Sequence, residues 1–265
     1  MTGSLILKTV RERWRMAAIF AGVIVGYALL LAAIYPSIGK VKVDYAKQIP
    51  KAFAKFFGAS TFNITTYNNY VAIQFLTLMW VILVAAFVIS MARRMVAGEL
   101  KDGTLEFLLS QPVQRWRLLS VQAMLLLAAI VGFVLVTVGS LVAFGAAFGV
   151  METYAGYAAF ILPAIALLTA IAGYSILFSA LFKDPGRAAL AAAGLTLLFY
   201  LINFAASYWT RIEFIGWASI FKYYQPLTVL QKATVSPRDV LIPVAFGLAC
   251  FAGALWAFQR RDVAP

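Results

Sequence analysis

A chain of 265 residues that is 63% hydrophobic and only 12% charged, with a mean hydropathy of +0.90, has no surface with which to face water as a globule. This is the composition of an integral membrane protein. Histidine is absent, which excludes imidazole acid–base chemistry and His metal ligation, and the single Cys250 allows neither an intrachain disulfide nor a thiolate cage. The net charge of +12 comes from basic residues at the borders of apolar runs. That placement points to anionic lipid headgroups or a protein partner rather than to nucleic acid, which would need a polar basic domain.

Residues 4–17 predict an amphipathic helix. Leu7, Val10, Trp14 and Ala17 share one face and Lys8, Arg11, Glu12 and Arg15 the other, as in an elbow lying on the cytosolic membrane surface with Trp14 as interfacial anchor. Six intervals free of Asp, Glu, Lys and Arg reach the roughly 20 residues that a helical span needs. They predict spans over 17–37, 70–92, 118–149, 157–182, 188–209 and 240–259, all within one transmembrane domain, 1–265. The first is too long for the apolar region of a signal peptide, and no small-x-small cleavage site follows it.

Between spans one and two, Lys47, Lys51 and Lys55 recur every fourth residue opposite Ile49, Phe53, Phe56 and Phe57, the pattern of a short interfacial helix. Asn63-Ile64-Thr65 fits the short glycosylation pattern, which is common by chance. Arg93-Arg94 mark the end of the second span. Gly139-Ser140 offers a place for the long third span to kink. Pro163 and Pro243 fall near the starts of their spans, where a first turn tolerates proline. Before the last span, Phe214, Trp217, Phe221, Tyr223 and Tyr224 crowd a stretch broken by Pro226 and Pro237, as in short interfacial or re-entrant helices.

An even number of spans puts both termini on one side. With that side cytosolic, 13 Lys/Arg lie inside and 9 outside, in keeping with the positive-inside rule.

The segment 93–117 carries the most information. Thr104 follows a glycine turn as a natural N-cap, and Glu106 lies in the first turn, where the helix dipole favours an anion. Leu105, Leu108 and Leu109 form an i, i+3, i+4 apolar face, and Pro112 restarts a helix at its first position. The result is a one-to-two-turn amphipathic helix tied to two spans, whose apolar face fits either the lipid surface or a groove on another protein.

At these residues the chain resembles the type-2 permeases of bacterial ATP-binding-cassette exporters. The pattern is an acidic residue, Glu99, then Gly103-Thr104-Leu105-Glu106, then Leu108-Leu109-Ser110-Gln111-Pro112-Val113-Gln114-Arg115. The resemblance extends over the whole chain through the basic elbow, the six spans, the aromatic stretch and the closing Phe258-Gln259-Arg260-Arg261-Asp262. It implies an all-α membrane protein whose short helix docks on a separate ATPase subunit. By that resemblance Glu99, Gly103, Thr104, Leu105, Glu106, Leu108, Leu109, Pro112 and Arg115 form the coupling element. It further implies a dimer, as homodimer or with a sister permease, in a bacterial or archaeal inner membrane. ATP and Mg would then belong to the partner ATPase, with no cofactor in this chain.

The rest of the sequence is consistent with that division of labour. No Gly-x-x-x-x-Gly-Lys-Ser/Thr loop occurs, so this chain is not expected to be an enzyme, and no charged residue lies deep in a predicted span where an ion-coupled carrier would place one. An ion-coupled transporter or a channel with a backbone-carbonyl site is the alternative, and a membrane scaffold or enzyme a third. Glu99, Asp102 and Glu106 mimic a metal-binding spacing, but Gly103 interrupts the helix that would align them. Gly22-x-x-x-Gly26 and Gly145-x-x-x-Gly149 permit close helix contacts. Gln74, Tyr200 and Asn203 are the mid-span polar groups that either line a pathway or are consumed in interhelical hydrogen bonds.

Overall fold

The computed structural model describes residues 2–38, 66–101 and 115–260. The predicted interfacial helix around 47–57, the glycosylation pattern and the segment 102–114 lie outside the described residues. Six helices are long and apolar enough to cross a membrane: Trp14–Ser37, Met79–Lys101, Trp116–Ala147, Ala155–Leu181, Pro185–Tyr208 and Pro237–Arg260. No strand occurs among the described residues. Helices satisfy their own backbone groups, as a lipid-exposed segment must.

The bundle is not uniform. The second and fourth spans are its interior, 67% and 72% buried, whereas the other four range from 11% to 33% and surround them. The fourth span packs most closely against the sixth. A Cβ placed on Gly173 would strike the carbonyl of Gly247, and one on Gly247 would lie 2.6 Å from the carbonyl oxygen of Thr169. Backbone therefore meets backbone at this crossing, and only glycine fits either position.

Several predicted details are corrected. A single helix runs over Thr2–Ile38, with no break separating an elbow from the first span. The second span does not stop at Arg93-Arg94: the helix passes through a π turn, Arg94–Gly98, and a last α turn, Glu99–Lys101. Long arginine stems reach headgroup depth without ending the helix that carries them. The helix does not break at Gly139-Ser140, since Arg115–Ala147 is continuous and the Ser140 hydroxyl donates to the Thr137 carbonyl at 3.0 Å. Pro163 and Pro243 lie inside their helices rather than in the first turns. Each withholds an amide from the ladder, a loss that neighbouring helices make tolerable.

Helix ends follow local chemistry. Asp184 caps the fifth span by accepting from the Arg187 amide at 2.9 Å, with Pro185 opening the helix. The third span closes on Gly149 in the left-handed region (φ +66°), with Val150 N–H bonded to the Gly145 carbonyl and Gly149 N–H to that of Ala146. The aromatic stretch after the fifth span does form short helices, Thr210–Ala218, Ile220–Tyr223 and Pro226–Lys232. Phe221, Tyr223 and Tyr224 turn inward, while Phe214 and Trp217 stay exposed.

Candidate functional site: the base of the 102–114 segment

The segment that carries most of the sequence signature joins the helix that ends at Lys101 to the helix that opens at Arg115. Gly103, Thr104, Leu105, Glu106, Leu108, Leu109 and Pro112 lie outside the described residues, as do Asp102 and the side chain of Arg115, whose backbone opens the third-span helix. Glu99 is described, and both ends of the segment are firmly held.

Ser179, near the end of the fourth span, is the central fastener. Its hydroxyl accepts from the amides of Val96 and Ala97, both at 3.2 Å, and donates to the Arg93 carbonyl at 3.2 Å. That carbonyl also accepts the i−5 bond from Gly98 N–H at 3.1 Å, the mark of the π turn. Ser179 is fully buried, and Met95, Val96, Ala97 and Gly98 are buried against it. One turn further on, the half-buried Glu99 carboxylate accepts from Gln122 Nε2 of the third span at 3.1 Å. The exit and return helices are thus joined directly. Lys101 then pairs with Asp184 at 3.5 Å, linking the end of the second span to the turn between the fourth and fifth. The Asp184 carboxyl is held below its ordinary range, chiefly by the Arg187 amide hydrogen bond and further by the Lys101 ammonium.

Sequence reasoning picked out Glu99 but missed Ser179, Gln122 and the Lys101–Asp184 pair. The available signal was weak. Ser179 is a lone hydroxyl in an apolar run, and nothing in its spacing shows that it faces a π turn 83 residues away.

The three candidate pathway residues do not form one group. Gln74 is exposed on a π turn, Ala72–Leu76, that precedes the second span and packs chiefly on Tyr67–Val71, Met79–Ala92 and Pro226–Lys232. Tyr200 and Asn203 sit three residues apart on the fifth span and are half-buried. The Tyr200 ring meets Phe221 edge-on at 5.6 Å, and the Asn203 carbonyl accepts from Ser207 at 2.8 Å.

A second polar concentration lies around Tyr67–Tyr70, at the opposite end of the second span. Asn68 donates to Thr153 at 3.0 Å and Gln231 donates to Asn69 at 2.9 Å. The Tyr67 hydroxyl is buried without a hydrogen-bond partner among the described residues, and burial pushes its pKa up to about 12. Deeper in the bundle, Trp80 Nε1 donates to Thr137 at 2.8 Å and the Tyr224 hydroxyl donates to the Leu76 carbonyl at 2.8 Å. Of the glycine pairs, Gly145 packs against Tyr67, whereas a Cβ on Gly22 or Gly26 would meet no atom within 4 Å.

Six apolar spans, with the second and third joined by a side-chain hydrogen bond at Glu99–Gln122, define a polytopic membrane protein. The family model described as "ABC-2 family transporter protein" matches residues 6–263, and the chain belongs to that family. It is therefore a membrane permease subunit of an ABC transporter, a kind of subunit that associates with an ATP-binding-cassette ATPase and is not itself the ATPase. No match is found among curated proteins or solved structures.

Proposed function

We propose that the chain is the transmembrane half of an ATP-driven exporter, working as a dimer and driven through the short helix at 104–109. The observation that carries this reading is the clamped base of the segment. Its two ends are joined to each other by Glu99–Gln122, and the outgoing end is tied to the fourth span and its following turn by Ser179 and by Lys101–Asp184. A docking helix held this way passes displacement to the bundle, whereas a loosely tethered one absorbs it. Thr104, Leu105, Glu106, Leu108 and Leu109 supply the docking face, and Gly103 and Pro112 set its limits. Arg115 and Glu99 flank it, next to the helices it must move.

ATP binding closes the partner ATPases and favours one of two bundle arrangements; the bias equals the difference in their affinity for those arrangements. Both termini and the 102–114 segment are assigned to the cytosol of a bacterial or archaeal inner membrane, from the clustering of Lys and Arg at that end. ATP and Mg reside in the partner ATPase, and the second permease chain is an identical copy or a sister subunit. Gln74, Tyr200 and Asn203 are retained as pathway candidates.

The test is a mild-detergent purification of the tagged chain from its host, followed by ATPase and transport assays on the complex. A near-stoichiometric ATP-binding-cassette subunit is expected. Glu106→Arg and Leu108→Asp should leave membrane insertion intact while uncoupling hydrolysis from transport. Normal transport in both variants would remove the coupling assignment. Gln74→Ala and Asn203→Ala should alter transport kinetics without loss of assembly, and unchanged kinetics in both would discard them as pathway residues.

A further inference from the structure

An apolar groove of about 220 Å³ runs between the third, fourth and sixth spans. Its floor is the Gly173–Gly247 crossing, with Ala123 and Ala172 beside it, and its open rim is formed by Met124 and Leu248. The rim side chains are 70% and 58% exposed, so the groove opens sideways, toward lipid. The Thr169 hydroxyl in its wall presents no free proton to the groove, since it donates to the Ile165 carbonyl of its own helix at 2.7 Å.

On the third span the groove extends from Ser120 to Ile130. At 1.5 Å per residue that is about 15 Å, half the roughly 30 Å hydrocarbon core and hence the depth of one leaflet. One turn beyond Ser120, on the same helical face, is Trp116, with the Arg117 guanidinium 5.4 Å from its ring centroid. An aromatic ring carrying an exposed cation sits at the headgroup end of a one-leaflet apolar channel. The arrangement is matched to a single-tailed section of an anionic amphiphile.

We infer that this groove holds one acyl chain of an anionic phospholipid, with its phosphate at Arg117. The chain lies against the backbone floor that the two glycines create, and the headgroup charge is met by a guanidinium, whose planar fork suits a phosphate. Bound there, the lipid covers the seam between the fourth and sixth spans.

The experiment is native mass spectrometry of the full chain released from nanodiscs of equimolar phosphatidylglycerol and phosphatidylcholine with matched oleoyl chains. One retained phosphatidylglycerol per chain is expected, enriched at least tenfold over phosphatidylcholine. Ala123→Phe fills the floor and should abolish retention. Met124→Trp blocks the groove from a rim position that is 70% exposed, so it tests the same point if Ala123→Phe does not fold. Arg117→Gln should keep a bound lipid but lose the preference for phosphatidylglycerol. Retention in Met124→Trp equal to that of the parent chain would overturn the assignment. So would equal retention of the two lipids by the parent chain. A Met124→Trp chain that keeps its lipid but falls from dimer to monomer would give the groove to a second copy instead.

Discussion

Replacing Ser179 with alanine tests whether the π turn at the end of the second span is held from outside. The substitution removes one oxygen and three hydrogen bonds, two accepted from Val96 and Ala97 and one donated to Arg93. Hydrogen bonds between membrane helices average about 0.6 kcal/mol and reach about 1.7. All three are 3.2 Å long, at the far end of the useful range, so the average is the appropriate figure. Their sum is about 2 kcal/mol. The lost volume is too small to add a large cavity term. Unfolding by SDS titration in mixed micelles, followed by circular dichroism, measures the difference directly. Hydrogen exchange should rise first over residues 94–101, before the rest of the bundle opens. A destabilisation below about 0.5 kcal/mol with unchanged exchange would refute the reasoning. It would mean that the Val96 and Ala97 amides rebond within their own helix and that Ser179 is a bystander.

Other consequences are equally direct. Gly173→Ala should destabilise by about 1–3 kcal/mol, because its Cβ meets rigid backbone at Gly247. In the same titration Gly253→Ala, whose Cβ would rest 3.5 Å from Leu177 Cδ1, should be neutral or slightly stabilising. Thr137→Val should cost about 1–3 kcal/mol by stranding the buried Trp80 indole N–H, and adding Trp80→Phe should reveal a coupling of about 1 kcal/mol in a double-mutant cycle. Asp184 has a depressed folded pKa, so its contribution is present above its ordinary value of 3.8 and lost as pH falls through the lower folded value. Thermal unfolding below pH 3.8 should show an acid-dependent component that Asp184→Asn removes.

The six spans were legible because charge is expensive in hydrocarbon and its absence over twenty residues is hard to produce otherwise. Where helices end was less legible. Arg93 and Arg94 read as a terminus because charge marks the edge of hydrocarbon, not the edge of a helix, and the chain continues helical to Lys101. Gly139-Ser140 read as a break, yet the helix is continuous through it, with Gly139 facing open space and the Ser140 hydroxyl bonded back to its own helix. Pro163 defeats local reasoning for a related cause: a buried helix tolerates an interrupted ladder when its neighbours hold it in place. The clamp at Ser179 and the glycine crossing depend on which faces meet across about 75 to 85 residues of sequence. A hydrophobic pattern nearly uniform around each helix does not encode that.

The burial gradient across the spans has a mechanical consequence. The 102–114 segment follows the second span, whose closing π turn is fastened to the fourth, and these are the two helices with the most surrounding protein. A push on a peripheral helix, such as the 11%-buried fifth, would be dissipated by sliding through lipid. A push delivered to the two central helices has no such outlet, since close-packed interiors transmit strain rather than absorb it. On the proposed coupling, the bundle would be loaded at its axle rather than its rim, and a small displacement there would oblige the outer helices to find new seats.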